Sequence, residues 1–430
     1  MKHVGRALAV GLVVFAGAAH AEIANGKVKI GVLTDLSGAY EQNSGNGSVE
    51  AAKMAAEEFG NKVNGKPIEI VAGDHQNKPD VGAALANRWF DVDKVDAVTD
   101  LVNSAVGFAV LDIAKQKNKA VLLTSAGSAD FTGKACAPNI SVHWVYDTYE
   151  IGSAIGRAVP QLGKTWYFIT ADYIFGKMLQ DSVKNAVEKN GGKVVGSVSH
   201  PLGATDYSSY VLQAQASKAD VVAINNGGDD GVNAVKAANE FGIVRGGQKV
   251  VPFGLDSLPG IKSAGLENAK GMMYVTPWMP GLTKESQDFM QKFIARRKTA
   301  PSTFHVGTYS VVRNYLKAVE ATDSTDPKSC SPRCARTRSR TPSPTTASCG
   351  RTAAWCMTFT WCRSSRRKSR KASGISSNSL RRSRVSKPFV HSTRADARRW
   401  LTIERGLGVS STLRGRVRSG RLKWRDTSLT

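Results

Sequence analysis

Short apolar runs alternate with amphipathic, helix-length stretches from Lys27 to about Gly254, and this alternation restricts the possible folds more than any other feature. Runs such as "KVKIGVLTD", "KPIEIVAGD" and "KAVLLTSAG" are rich in β-branched and apolar residues, whereas "GSVEAAKMAAEEFGNK" places its apolar residues on one helical stripe. Apolar strands joined by helices are typical of a parallel sheet that is covered on both faces. The sequence therefore predicts an α/β fold.

The alternation pauses around "FTGKACAPNISVHWVYDTYE" and then restarts, which divides it into two sets of similar size. Two sets predict two doubly wound parallel-sheet lobes, lobe 1 over residues 22–142 and lobe 2 over residues 143–274. The stretch "TYSVVRNYLKAVEAT" predicts a helix with which residues 275–328 return to lobe 1. Because ligands of doubly wound sheets bind beyond the carboxyl ends of the strands, we expect a cleft that closes on a small molecule about a hinge.

The first 21 residues have the features of an export signal. Lys2 and Arg6 supply positive charge, "ALAVGLVVFAGAA" is an apolar run too short to span a bilayer, and Ala19–His20–Ala21 is an A-x-A cleavage site. We expect cleavage near Ala21 and a mature protein that works outside the cytoplasm.

Motifs of enzymes and cofactor-binding proteins are incomplete in this sequence. Gly60 and Gly65–Lys66 have the spacing of a P-loop, but Pro67 stands where Ser or Thr must hold Mg²⁺. The sequence contains no G-x-S-x-G and no H-E-x-x-H. We therefore expect neither an enzyme nor a resident cofactor.

Small polar residues follow the strands of lobe 1 where a cleft would need them. A strand-to-helix turn with hydroxyls and free backbone N–H groups is suited to a carboxylate. Alternatively, Ser104 and Ser128 only cap the helices that follow. The candidate binding residues in lobe 1 are Tyr40, Asn103, Ser104, Ala126, Gly127 and Ser128.

Lobe 2 has its own candidates at the corresponding strand ends. Asp256 is suited to an ammonium or a hydroxyl group, or else is a plain turn residue. Tyr146 lies at the predicted crossing between the lobes and either walls the cleft or packs inside. The candidates in lobe 2 and at the crossing are Tyr146, Tyr173, Phe175, Asn226 and Asp256.

The stretches "VKIGVLTDLSGAY", "LVNSAV", "LLTSAGSADFTG", "HWVYDTY", "ADYIFG" and "FGLDS" together resemble the leucine/isoleucine/valine-binding branch of periplasmic solute-binding proteins of ABC importers. The resemblance covers residues 27–327. It implies a type I periplasmic-binding-protein fold, hinge closure without bond chemistry, and a monomer in the periplasm that delivers a solute to permease and ATPase subunits. A periplasmic sensor of a signalling system shares this fold and is the alternative.

The resemblance also assigns roles to four candidates. It implies that the hydroxyls of Ser104 and Ser128, with the Ala126 backbone beside them, grip the ligand carboxylate. Phe175 matches an aromatic residue that is often Tyr in amino-acid binders, and Asp256 matches an acid that is usually Glu and meets the α-ammonium. Because of these two departures, both α-amino acids and aromatic carboxylates stay open as ligands.

The last hundred residues differ sharply in composition. Residues 329–430 carry 25 Lys and Arg against 3 Asp and Glu, whereas residues 1–328 carry 34 against 32. Five of the six cysteines also follow residue 328, at spacings that do not fit a zinc site. An exported protein rarely meets nucleic acid, so we expect neither a metal nor a nucleic-acid partner for this basic tail.

The genetic code suggests instead that this tail is read out of frame. If one nucleotide is missing upstream, the codons of "AWCMTFTWC" re-read as Leu/Met/Val, Val, His/Tyr, Asp, apolar, His/Tyr, Leu/Met/Val, Val, which is a strand pattern. The same shift allows "LLAKMRE", "GEWDIFKLL" and "IPGEQAFRPL", which resemble the C-terminal end of the family in the right order. We predict that residues 329–430 are out of frame and disordered, and that the chain consequently folds poorly. Cys136, alone before residue 329, is expected to be an inert thiol or to have lost its disulfide partner.

Overall fold

The structure is a computed structural model that describes residues 23, 25–144, 147–156, 158–255, 257–270, 272–273, 275–278, 280, 284–330 and 359–360. The predicted export signal, the candidates Tyr146 and Asp256, and the tail apart from residues 329–330 and 359–360 lie outside the described residues. Within the described ranges, no helix combines the length and the apolar character needed to cross a bilayer.

Strands and helices alternate in the order that the sequence pattern predicts. The strands are β1 (Val28–Thr34), β2 (Lys62–Val63), β3 (Lys66–Asp74), β4 (Ala97–Asp100), β5 (Ala120–Leu123), β6 (Ser141–Trp144), β7 (Thr165–Ala171), β8 (Lys193–His200), β9 (Val221–Gly227), β10 (Lys249–Gly254) and β11 (Phe359–Thr360). The helices are α1 (Gly45–Glu57), α2 (Pro79–Asp91), α3 (Ser104–Lys117), α4 (Thr148–Gly156), α5 (Val159–Leu162), α6 (Ile174–Lys189), α7 (Ser208–Ala216), α8 (Gly228–Glu240), α9 (Leu258–Ala264), α10 (Lys284–Arg297) and α11 (Thr303–Thr322).

Lobe 1 contains a seven-stranded sheet in the order β11-β6-β5-β4-β1-β3-β2. The strands β3, β1, β4, β5 and β6 are parallel, whereas β2 and β11 each pair antiparallel at an edge. Apolar residues of α1, α10 and α11 cover one face, and those of α2 and α3 cover the other. The central strands are therefore buried on both faces, which explains their continuous apolar runs.

Lobe 2 contains a parallel sheet of four strands in the order β10-β9-β7-β8. Helices α7, α8 and α9 pack on one face, and α4, α5 and α6 pack on the other. The two-lobed α/β architecture with parallel sheets confirms the predicted fold class.

The chain crosses from lobe 1 to lobe 2 between β6 and α4. The sheet of lobe 1 thus extends to Trp144, two residues past the predicted boundary at residue 142. Trp144 is buried, and a β-carbon on Gly307 of α11 would come within 2.9 Å of its ring. The returning helix α11 therefore packs directly on the crossing strand and ties residues 303–322 to lobe 1.

The two cysteines in the described ranges differ in state. Cys136 is disulfide-bonded, so the expectation of an unpaired Cys136 is wrong. Cys330 is free and packs in the core of lobe 1, where burial raises the pKa of its thiol to about 11. The core of lobe 1 therefore reaches the first two residues of the tail.

Candidate ligand-binding site

A cavity lies between the two lobes at the carboxyl ends of their strands. Its volume is about 30 Å³, which is enough for about two water molecules. The lining residues come from both lobes and from the returning helix α11, and five of them are aromatic. They are Tyr40, Asn43, Val102, Ser125, Gly127, Ile151, Tyr173, Phe175, Gly227, Gly228, Phe253, Gly254 and Phe304.

The wall of lobe 1 at the start of α3 contains a hydroxyl group with unused hydrogen-bonding capacity. Asn103 caps the helix, because its side-chain oxygen accepts from the backbone N–H groups of Ala105 at 2.9 Å and Val106 at 3.4 Å. Ser104 is therefore not the cap, so the alternative in which Ser104 only caps this helix is wrong. The Ser104 Oγ atom is buried and has no hydrogen-bond partner among the described residues.

The turn after β5 brings three further candidates together. Ser128 caps a short 3₁₀ helix, since its Oγ accepts from the Asp130 N–H at 3.3 Å, and it also contacts Met178 Sδ of lobe 2 at 2.9 Å. The Ala126 carbonyl accepts from His143 Nε2 at 2.9 Å, and burial lowers the pKa of His143, so this ring is neutral. Ser128 is thus both a cap and an inter-lobe contact.

Gly127 is in close contact with an aromatic ring from the opposite lobe. A β-carbon at this position would lie 2.5 Å from the Phe175 ring, which is closer than real contacts allow. The backbone of the lobe 1 turn and the ring of Phe175 therefore meet only because residue 127 has no side chain.

The buried carboxylate of Asp100 supports the lobe 1 side of the cavity wall through hydrogen bonds. Asp100 accepts hydrogen bonds from the hydroxyls of Ser44, Ser125 and Thr124. Asp100 and Leu101 adopt the left-handed conformation, with φ of 79° and 59°, which is uncommon outside glycine. The hydroxyl network therefore holds a strained strand end next to the cavity.

The loop between β1 and α1 connects the lobes on one side of the cleft. Asp35 shapes this loop by accepting from the Tyr40 N–H at 2.9 Å and the Gly38 N–H at 2.7 Å. Three hydrogen bonds then reach lobe 2, from Asp229 N–H to Ala39 O, from Gln42 Nε2 to Ser263 Oγ, and from Ser257 Oγ to Asn43 Oδ1. The lobes are thus in direct contact in this structure.

Two tyrosines close the cavity from opposite lobes. The hydroxyl of Tyr40 in lobe 1 is hydrogen-bonded to that of Tyr173 in lobe 2. Burial raises the pKa of both tyrosines, so both hydroxyls stay protonated and act as donors or acceptors. The pair therefore places one hydroxyl group from each lobe on the cavity wall.

The carboxyl end of β9 carries two buried amides in lobe 2. Asn226 Nδ2 lies 2.8 Å from His200 Nε2, and Asn225 Nδ2 lies 3.1 Å from Thr170 Oγ1. The side-chain oxygens of both asparagines have no hydrogen-bond partner among the described residues. Asp230, four residues after Asn226, is also buried.

The predicted residues fall into three groups. Tyr40, Gly127, Tyr173 and Phe175 lie on the cavity wall. Asn103, Ala126, Ser128 and Asn226 are buried and adjoin wall residues in the chain, and Ser104 is buried two residues after the wall residue Val102. Their contacts with a ligand stay predictions, as do those of Tyr146 and Asp256 outside the described residues.

Sequence reasoning missed several wall residues. Gly227 ends β9 and Gly228 begins α8. Glycine in a strand often marks a close approach of another backbone, and a β-carbon on Gly228 would lie 2.2 Å from Ala39 O. Ile151 and Phe304 come from helices of lobe 2 and of the return segment, and no local pattern marks them.

Two doubly wound lobes that enclose a cavity between their strand ends define a two-lobed solute-binding protein. The sequence profile of the periplasmic binding protein family matches residues 27–351, and the chain belongs to this family, whose members are the solute-binding components of ABC transporters. The chain is 27% identical over 317 residues to "Leu/Ile/Val-binding protein homolog 6" of Brucella melitensis biotype 1, covering 71% of this chain and 78% of that protein.

Solved structures agree with this assignment. A periplasmic binding protein from Burkholderia mallei is 42% identical, with a TM-score of 0.68 over 71% of this chain and 81% of that one. A branched chain amino acid ABC transporter periplasmic ligand-binding protein from Burkholderia xenovorans LB400 is 34% identical, with a TM-score of 0.63 over 74% of this chain and 84% of that one. The predicted family is thereby confirmed.

Proposed function

We propose that this chain is exported to the periplasm, binds a small solute through a carboxylate group, and delivers it to the permease of an ABC importer. The observation that supports a carboxylate-bearing ligand is the buried Ser104 hydroxyl, which has no hydrogen-bond partner among the described residues. A buried polar group left unsatisfied costs about 1–3 kcal/mol. A ligand carboxylate next to Ser104 offsets that cost by accepting a hydrogen bond from its hydroxyl.

The surroundings of Ser104 support an anion at this place. Ser104 lies in the first turn of the fourteen-residue helix α3, and the positive end of a helix dipole favours negative charge. The Ser128 hydroxyl and the Ala126 backbone, one strand away, are the proposed second and third contacts. The ring of Phe175 and the tyrosines Tyr40 and Tyr173 would then face the rest of the solute.

Binding requires the lobes to move apart and close again. The cavity of about 30 Å³ is smaller than an amino acid or benzoate, so the solute enters an open form and the lobes close around it. The closed form joins residues of both lobes into one surface, which is the state that a permease would distinguish from the empty one.

The proposal is tested by thermal melting of the mature chain with a panel of solutes. The panel contains branched-chain and other amino acids, benzoate, hydroxybenzoates, hydroxycinnamates and short dicarboxylates. A ligand at 100 times its Kd adds about 2.7 kcal/mol, which raises the midpoint by several degrees. A panel in which no carboxylate raises the midpoint contradicts the proposal.

The role of Ser104 is tested by Ser104→Ala. We expect the affinity for the carboxylate to fall about tenfold or more, because a hydrogen bond to a charged group contributes about 1.5–3 kcal/mol. The melting temperature without ligand should not fall, because the variant removes an unsatisfied hydroxyl. Ser141→Ala is the control, since Ser141 Oγ contacts Ala137 O at the opposite end of the sheet. Equal losses of affinity in both variants would show that Ser104 does not contact the ligand.

A further inference from the structure

One contact between the lobes is made through a sulfur atom. Ser128 lies in the turn after β5 of lobe 1, and Met178 lies early in α6 of lobe 2. The Ser128 hydroxyl donates to Met178 Sδ at 2.9 Å, while its oxygen accepts from the Asp130 N–H at 3.3 Å. Because a thioether is a weak acceptor, the single proton of Ser128 can be drawn to a stronger acceptor.

Met178 differs in its surroundings from the other methionines that the structure describes. Met54, Met272 and Met290 are buried in the lobes, and Met273 is half-buried against the core of lobe 2. Met178 is also half-buried, but it lies where the lobes meet. When the lobes separate, its partner across the cleft moves away, so the sulfur becomes more accessible to small oxidants.

Hydrogen peroxide is a sufficient oxidant for such a sulfur. A lone pair of Met178 Sδ attacks one peroxide oxygen, an S–O bond forms and the O–O bond breaks. The proton of the transferred oxygen passes to the departing hydroxide, which leaves as water. Sulfur loses two electrons and the peroxide gains them, so the step needs no other reactant. The sulfoxide is polar, and methionine sulfoxide reductases convert it back to the thioether.

An oxygen atom on Met178 Sδ opposes closure of the lobes in two ways. The 2.9 Å between the sulfur and the Ser128 oxygen leaves no room for another heavy atom, and the adjoining contact between Phe175 and Gly127 is close as well. A sulfoxide oxygen is also a stronger acceptor than a thioether sulfur. It therefore competes with a solute carboxylate for the Ser128 proton.

We propose that Met178 is a redox-sensitive modification site, at which oxidation by hydrogen peroxide holds the lobes apart and weakens solute binding until a reductase removes the oxygen. The effect on binding rests on the proposed function, whereas the oxidation and the separation of the lobes do not. Capture of the solute thus depends on the level of peroxide around the protein.

Peptide mass spectrometry and amide hydrogen exchange of the full chain test the site without any solute. After limited treatment with hydrogen peroxide, we expect Met178 to gain oxygen before the buried Met54 and Met290. The Asp229 N–H donates to Ala39 O across the lobes at 2.8 Å, so its exchange reports whether the lobes are in contact. We expect this amide to exchange about fivefold faster or more in the oxidised chain.

Variants then assign the change to one sulfur atom. Met178→Leu removes the sulfur at similar volume, and its exchange at Asp229 should be the same before and after peroxide. Met273→Leu is the matched control and should respond to peroxide as the unaltered chain does. The two methionine sulfoxide reductases, one for each epimer, should restore slow exchange, whereas dithiothreitol alone should not, which distinguishes this oxidation from disulfide formation.

Calorimetric titration with L-leucine and with benzoate extends the test to binding. For whichever of the two solutes binds, peroxide treatment should weaken the affinity of the unaltered chain about tenfold or more, which is the effect of losing a hydrogen bond to a charged group. The affinity of Met178→Leu should change by less than about twofold on the same treatment.

Three results would overturn the redox site. The first is a Met178 that stays unoxidised while Met273 gains oxygen, and the second is oxidation of Met178 without faster exchange at Asp229. The third is a solute that binds the oxidised and the untreated chain equally. If neither solute binds the untreated chain but exchange at Asp229 responds to peroxide, the redox site stands and the failure belongs to the proposed function.

Discussion

Lobe 1 and lobe 2 each bury a carboxylate next to the cleft, and the two carboxylates differ in how fully they are hydrogen-bonded. Asp100 in lobe 1 accepts from three hydroxyls, those of Ser44, Ser125 and Thr124. Asp230 in lobe 2 accepts from one backbone N–H and one tyrosine hydroxyl. Asp100 is therefore held by one donor more than Asp230, and its donors are all side-chain hydroxyls.

This difference indicates a division of labour between the lobes. In lobe 1 the network around Asp100 fixes the strand end and the turn that carry the proposed carboxylate contacts. In lobe 2 the side-chain oxygens of Asn225 and Asn226 have no hydrogen-bond partner among the described residues, and these two residues directly precede Gly227 and Gly228 of the cavity wall. We therefore propose that lobe 1 holds the carboxylate of the solute and that lobe 2 contributes to the choice between solutes.

The largest expected effect comes from the tail and tests whether both lobes are complete. Restoring one nucleotide near codon 328 replaces a basic sequence with the apolar patterns "LLAKMRE" and "GEWDIFKLL". If a few of these side chains become buried, at about 1.5–3 kcal/mol each, we expect the melting midpoint to rise by about 10 °C. Differential scanning calorimetry of both chains measures the change.

A chain that ends at Cys330 is the control for this experiment. It separates the removal of the basic tail from the gain of new core contacts, because it lacks both. All chains in this comparison carry Cys136→Ser, so that the Cys136 disulfide does not differ between them. The structure already pairs Phe359 and Thr360 with the edge strand β6, inside the window that the shifted reading also makes a strand. A restored chain that melts no higher than the shortened one would contradict the frameshift prediction.

The features that could be predicted from the sequence are those that depend on residues close together in the chain. Strands and helices followed from hydrophobic period, and Tyr40, Gly127, Tyr173 and Phe175 were identified because they follow strand ends. The hydrogen bonding of Asp230 was missed, because its partners Gly203 and Tyr207 are distant in sequence and reach it only in the folded lobe. Phe304 was missed for the same reason, since only the return of α11 to the cleft brings it to the wall.

The next effect tests the difference between the two acids directly. Asp100→Asn keeps a residue type that tolerates the left-handed conformation but removes the charge that three hydroxyls stabilise. We expect a loss of about 2 kcal/mol in the free energy of unfolding, measured by urea denaturation. Asp230→Asn, in contrast, should lose less than about 0.5 kcal/mol, because it removes a buried charge with few partners. Equal losses in the two variants would contradict the division of labour.

The smallest effect tests whether closure brings the lobes as close as the structure has them. Gly127→Ala places a methyl group about 1 Å too close to the Phe175 ring, given the 2.5 Å distance to the ring that a β-carbon would have. The φ of Gly127 is not positive, so alanine introduces no backbone strain, and the unliganded stability should stay unchanged. Closure of the lobes around the solute, however, should cost the variant about 1 kcal/mol more than the unaltered chain, which weakens solute binding about fivefold.

A double-mutant cycle with Phe175→Leu assigns that cost to the inter-lobe contact. The smaller side chain leaves room for the methyl group, so Gly127→Ala should cost almost nothing in the Phe175→Leu background, even though Phe175→Leu itself weakens binding. Gly133→Ala is the control, because Gly133 is exposed in the same turn region and a β-carbon there meets only ordinary contacts at 3.4 Å and beyond. Additive losses in the cycle would mean that Gly127 and Phe175 do not meet when the solute is bound, and that lobe 1 holds its ligand without the close approach of lobe 2.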